Sequence, residues 1–169
     1  MLQKADPTQA AALMFLVFAV LITLGIAFSS FQREIGASEA SDATKVAFAA
    51  VTDAHRVLAD RTDHDEYSAS LRAARIANDR VSLVGVVDTK VNTELEHALE
   101  YLSAAREAWQ ADLEGEWDSE TYGDAVYWHA RLPEVDLPQS GAVSLEQVTK
   151  AFLAGADAHI EKATEAAGE

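Results

Sequence analysis

Apolar and polar positions divide this chain into two parts. From Pro7 to Gln32 no residue is charged, and the centre of that stretch, Ala10 to Phe28, is apolar on every side of any helix it forms. A helix rises about 1.5 Å per residue and satisfies its own backbone groups, so a run of this length matches the roughly 30 Å hydrocarbon core of a bilayer. Asp6 stands at a capping position, Pro7 at the first helical position and Gln9 at capping-box spacing. The pattern predicts a short tail over 1–8 and a transmembrane helix over 9–30. A cleaved signal peptide is the competing reading, with Ala27 and Ser29 as small residues before a cut. The apolar run is long for such a signal, however, and its leading segment carries only Lys4, offset by Asp6. The expectation is a retained single-pass signal-anchor. Within it, Gly25 and Ser29 form a small-xxx-small pair that lets another transmembrane helix approach closely, although small residues are also simply tolerated there.

Past the anchor the period changes. Ser29, Ser30, Gly36, Ser38 and Ser41 mark 31–42 as a linker or a continuation of helix. Apolar residues then recur every three or four positions. A first run places Val46, Ala47, Ala50, Val51, Ala54, Val57 and Leu58 on one face. A second carries Tyr67, Leu71, Ala74, Ala77, Val81 and Val84, and a third Val87, Val91, Leu95, Ala98, Leu102, Ala105 and Trp109. Gly85 and Asp88 separate the last two, unless residues 66 to 113 form one long helix with a coiled-coil-like seam. Gly115 and Asp118 are stop and start signals before a shorter run of Tyr122, Ala125, Val126, His129 and Leu132. Pro133 and Pro138 bound a loop. Ser144, with Gln147 at capping-box distance, opens a last helix that buries Leu145, Val148, Phe152, Ala156, His159, Ile160 and Ala163. The prediction is an all-α chain: one transmembrane helix, then an extramembrane bundle or short helical-hairpin array of four to six helices over 43–166, and a frayed tail over 167–169. The segments Ala98 to Ala105 and Tyr122 to Leu132 have a small–aromatic–small alternation that resembles tetratricopeptide repeats, which implies protein binding. The 34-residue self-similarity of that family is absent.

Charge adds a constraint. The net charge is −15, and because Lys4 and Asp6 cancel, all of it belongs to the residues beyond the apolar stretch. Such a domain repels phosphate backbones and anionic headgroups, so nucleic acid is not an expected partner; basic protein surfaces and cations are. There is no cysteine, which removes disulfides, thiolate metal sites and cysteine-attached cofactors. The positive-inside rule is nearly silent, with Lys4 on one side and Arg33 and Lys45 on the other. A short leading tail and a long following domain favour a periplasmic or extracellular domain.

Candidate chemistry is sparse. Glu94 and His97 have the Glu-x-x-His spacing of di-iron bundles, but a second copy and two further glutamates are missing, so a solvated helix face is the plainer reading. Thr62 to Glu66, and the alternation of Asp112, Glu114, Glu116, Asp118 and Glu120, are oxygen-rich. The second does not follow the EF-hand pattern, and helix starts attract acids without any ion. Five histidines are scattered, and no nucleophile elbow, phosphate loop or dinucleotide fingerprint appears. No catalytic residue, metal ligand or cofactor is assigned. Trp117, Tyr122, Tyr127 and Trp128 form an aromatic concentration that packs the core or, if exposed, supplies a partner-binding surface. The sequence thus points to a non-enzymatic accessory or scaffold subunit that touches the bilayer through its anchor and other membrane-complex subunits through its domain. The alternative is a membrane-tethered sensor or ligand- or cation-binding bundle.

Overall fold

The computed structural model describes residues 40–60, 63–84, 89–117 and 121–168. The expected transmembrane helix over 9–30, with Gly25 and Ser29, lies outside them. Among the described residues no helix is long and apolar enough to cross a membrane. They contain five helices and no strand: α1 (40–60), α2 (His64–Val84), α3 (Thr89–Leu113), α4 (Ala125–Arg131) and α5 (Leu145–Gly168).

Local chemistry sets the helix ends. Asp63 caps α2, its Oδ1 accepting from the Asp65 and Glu66 amides at 2.7 and 3.4 Å. Gly115 stops α3 in the left-handed region at φ 74°, where the Glu116 amide reaches back to the Ala111 carbonyl at 2.7 Å. Ser144 and Gln147 close a reciprocal capping box on α5, Gln147 N–H to Ser144 Oγ at 3.2 Å and Ser144 N–H to Gln147 Oε1 at 2.8 Å. The start of α4 differs from expectation. Its cap is Asp124, whose Oδ1 accepts from the Val126 amide at 3.1 Å, while Asp118 lies outside the described residues.

The four long helices form an antiparallel bundle in the order α1, α2, α3, α5 around the core. Ser70 on α2 donates to Asp53 on α1 at 3.0 Å, and Asn92 on α3 donates to Ser82 on α2 at 3.3 Å. Each pair sits at similar distances either side of its connection, so each is a hairpin. That geometry excludes a single helix over 66–113. Glu94 meets His159 at 2.7 Å while Tyr101 meets Phe152 at 6.3 Å between ring centroids, so α3 and α5 also run in opposite directions. His55 Nε2 lies 3.2 Å from Asp157 Oδ1, which places α1 beside α5.

The core takes Ala47, Val51 and Leu58 from α1, Tyr67, Ala74 and Val81 from α2, Leu95, Ala98 and Leu102 from α3, and Val148, Phe152 and Ala156 from α5, all at or below 2% exposure. Alanine at so many core positions lets the helix axes come close. Three departures from the sequence pattern stand out. Val46 and Val126 are 57% and 51% exposed, because each lies at the edge of its apolar stripe and no element covers it. Asn78 and Thr149 are buried although polar. Finally, α5 runs to Gly168, two residues past the expected domain boundary at 166, and Ala166 within that boundary is buried.

Between α3 and α5 the chain folds into a cap. Trp128 of α4 is fully buried, with its ring edge against Phe152 at 5.0 Å and its indole N–H donating to the Tyr122 carbonyl at 2.8 Å. Backbone bonds from Ala125 to Gly141 at 3.0 Å and from Val143 to Gly123 at 2.7 Å pin the returning loop beside the start of α4. His129 Nε2 lies 3.2 and 3.0 Å from the Leu137 and Pro138 carbonyls and holds its far end.

Candidate functional site

Three of the four aromatic residues singled out in the sequence, Tyr122, Tyr127 and Trp128, come together in the cap. Tyr122, Tyr127 and Trp128 stack edge-on or tilted at 4.8 to 6.1 Å, and Trp117 packs half-buried against the same core. Trp128, at 0% exposure, is a core residue and has no surface to offer a partner. Tyr127 is held by its hydroxyl, which donates to Glu107 on α3 at 2.6 Å, and Arg131 bridges to the same carboxylate. Burial pushes the Glu107 carboxyl up, but the hydrogen bonds from Arg131 and Tyr127 outweigh it and hold it below the usual glutamate value. The two arms cross-link α4 to α3.

Of the Glu-x-x-His pair, Glu94 is half-buried whereas His97 is exposed, as a solvated helix face requires. Glu94 reaches His159 on α5, whose hydrogen bond depresses the Glu94 carboxyl, and the His97 ring stacks on His159 at 5.0 Å. His97 and His159 border a hollow of about 260 Å³ with Glu100, Tyr101 and Glu134. Among the described residues no group of three or more histidine, aspartate or glutamate side chains is arranged to hold a metal ion. In the acidic turn before α2, Asp63 spends its carboxylate on the helix amides. Of the second acidic stretch, Asp118 and Glu120 lie outside the described residues.

A different feature emerges from the packing of α2 on α3. In a chain of charge −15, Arg72 and Arg75 stand one turn apart on α2, and Arg106 faces them from α3. With Ser68 and Ser103 they line an open hollow of about 220 Å³. Arg75 donates to Ser103 Oγ, whereas Arg72 and Arg106 make no ion pair or hydrogen bond among the described residues. Arg75 also borders two adjoining hollows. One of about 230 Å³ leads toward Glu107, Glu114 and Glu116, and one of about 330 Å³ toward Asp79, Glu96 and Glu100. The groove is therefore basic in the middle and acidic at both ends. Ile76 and Leu83, 63% and 84% exposed, share the outer stripe of α2 with Arg72. The concentration Arg72, Arg75 and Arg80 on one helix is visible in the sequence; that Arg106 joins it depends on the hairpin.

Compared with known proteins, the chain matches no family model, the tetratricopeptide repeat included, and no curated relative or similar solved structure.

Proposed function

We propose that this protein is a single-pass, membrane-anchored accessory or scaffold subunit that acts through protein–protein contacts and catalyses no reaction. The apolar stretch over 9–30 holds it in the bilayer, and the acidic bundle, on the periplasmic or extracellular side, docks onto other subunits of a membrane complex. The observation that carries this reading is the outer surface of α2, where two large apolar side chains, Ile76 and Leu83, stand in solvent beside unpaired Arg72. Apolar surface rimmed by charge is what protein contacts use. Gentle detergent extraction followed by sizing and identification of co-purifying chains tests it. Stoichiometric membrane-protein partners are expected; a solitary monomer overturns the reading.

The second reading, a tethered sensor or ligand-binding bundle, draws on the hollow bordered by His97 and His159. Its test is the melting temperature of the protein titrated with calcium, iron and zinc, since a ligand stabilises the state it binds. An unchanged melting temperature at millimolar ion removes the cation-binding version.

A further inference from the structure

The arginine groove calls for an occupant that the rest of the molecule does not supply. An exposed arginine on an acidic protein ordinarily pairs with a neighbouring carboxylate, as Arg56 does with Asp53 and Asp60 on α1. Arg72 and Arg106 do not, although the chain carries 28 acidic residues. Two polar side-chain atoms in the walls of the groove are also buried without a hydrogen-bond partner, Ser68 Oγ in the central hollow and Asn78 Oδ1 in the adjoining one. Arg75 borders all three hollows, and each is open to solvent rather than enclosed, which suits a segment laid across the surface better than a buried small molecule.

We propose that the α2–α3 groove docks a short amphipathic segment of a partner protein, acidic at its centre and basic toward its ends. The central carboxylates meet Arg72, Arg75 and Arg106, whose guanidinium groups match carboxylates in a bidentate geometry. The segment's basic ends meet Glu114 and Glu116 on one side and Glu96 and Glu100 on the other. Its apolar face covers Ile76 and Leu83 along the stripe that Arg72 shares. The acidic ends also dictate what the groove rejects: a polyanion such as nucleic acid or an anionic membrane needs a continuous basic track, and this one is interrupted after three arginines. This inference rests on the accessory-subunit reading and specifies the partner's chemistry.

The test uses the full chain in detergent micelles. The probe is a fluorescein-labelled peptide with leucine and glutamate at helical spacing in its centre and lysines at both ends, compared with a peptide of reversed charge. Saturable binding of the first and not the second is expected by anisotropy. Arg72→Glu with Arg106→Glu weakens it by at least about tenfold, because close charge pairs at interfaces carry energies of that size or larger. The neutral Arg72→Gln with Arg106→Gln gives a smaller loss. Both arginines are exposed and make no hydrogen bond or ion pair among the described residues, so the neutral glutamine pair keeps a melting temperature near that of the wild type, and binding is compared below the melting temperature of every variant. Equal binding of the two peptides overturns the proposal, as does an affinity that survives charge reversal. Complete displacement by millimolar inorganic phosphate reassigns the groove to small anions, and a concentration-dependent dimer abolished by Arg72→Glu reassigns it to a second copy; either overturns it. Loss of peptide binding while membrane partners still co-purify defeats the groove and leaves the accessory-subunit reading intact. Peptide binding by a protein that purifies as a solitary monomer does the opposite.

Discussion

Gly155 and Tyr101 set the separation of α3 and α5. A Cβ on Gly155 falls inside the contact distance of the Tyr101 ring, which packs between Phe152 and His159, so the ring must shift to admit it. Alanine gains about 1 kcal/mol over glycine in helix propensity, but overpacking a filled core costs about 1–3 kcal/mol. Gly155→Ala is therefore expected to lower the melting temperature, and the loss should shrink when Tyr101→Ala is present as well, a double-mutant comparison that calorimetry can make. The glycine is visible in the sequence, yet its purpose is not, because the ring it admits lies 54 positions away. Two carboxylates carry a second prediction. Glu94 is depressed by the hydrogen bond to His159, aided by nearby Lys162 and His97. Glu107 is depressed by Arg131 and Tyr127 against the opposing effect of burial. Both titrate lower folded than unfolded, so the unfolded chain binds more protons in acid. Their contribution is complete above the ordinary glutamate value of 4.5 and disappears as pH falls through the depressed folded values. Thermal melts between about pH 6 and about pH 3 should show a drop that is shallower in Glu94→Gln and Glu107→Gln than in the wild type. An unchanged slope in both variants sinks this account.

At the level of elements, what is local was legible. The Ser144–Gln147 capping box and the Gly115 stop are short-range devices, and both appear at the positions their residue types indicate. Ser144→Ala should cost about 1 kcal/mol of stability. Gly115→Ala should cost about 1–2 kcal/mol, because an L side chain resists the left-handed backbone there. Urea denaturation measures both, and a midpoint unchanged in either variant contradicts the role given to that residue. The apolar runs located α2, α3 and α5 and most of their buried faces. What the runs under-reported is the breadth of α3, which also buries Leu99, Tyr101, Ala104, Ala108 and Ala111. A helix packed against one neighbour hides one stripe. Packed against α2 on one side and α5 and α4 on others, α3 hides most of its circumference, and alanine, which suits exposed and buried helix positions equally, does not announce which. Asp124 was missed as a cap because its role depends on the bridge to Ala142, a contact made by the returning loop.

For the whole molecule, charge and hydropathy give opposing pulls. The net charge of −15 repels itself within a compact bundle, so raising salt to about 0.5 M is expected to raise the melting temperature by screening that repulsion. A melting temperature that falls with sodium chloride speaks against dominant self-repulsion. Deleting residues 9–30 should move the protein from the membrane pellet to the supernatant after alkaline extraction; a deleted form that stays in the pellet counts against the anchor. The sequence by itself determined the helical class, the acidic surface, the Ser144–Gln147 capping box, the Gly115 stop and most of the heptad-like faces, because periodicity, capping and charge act over a turn or two of chain. Only the tertiary structure decided the order of the helices around the core, the burial of Trp128, the union of Glu94 with His159 and the meeting of Arg72 and Arg75 with Arg106. These pairs are far apart in sequence, and they meet because the hairpins fold antiparallel, at separations set by alanine and glycine in the core.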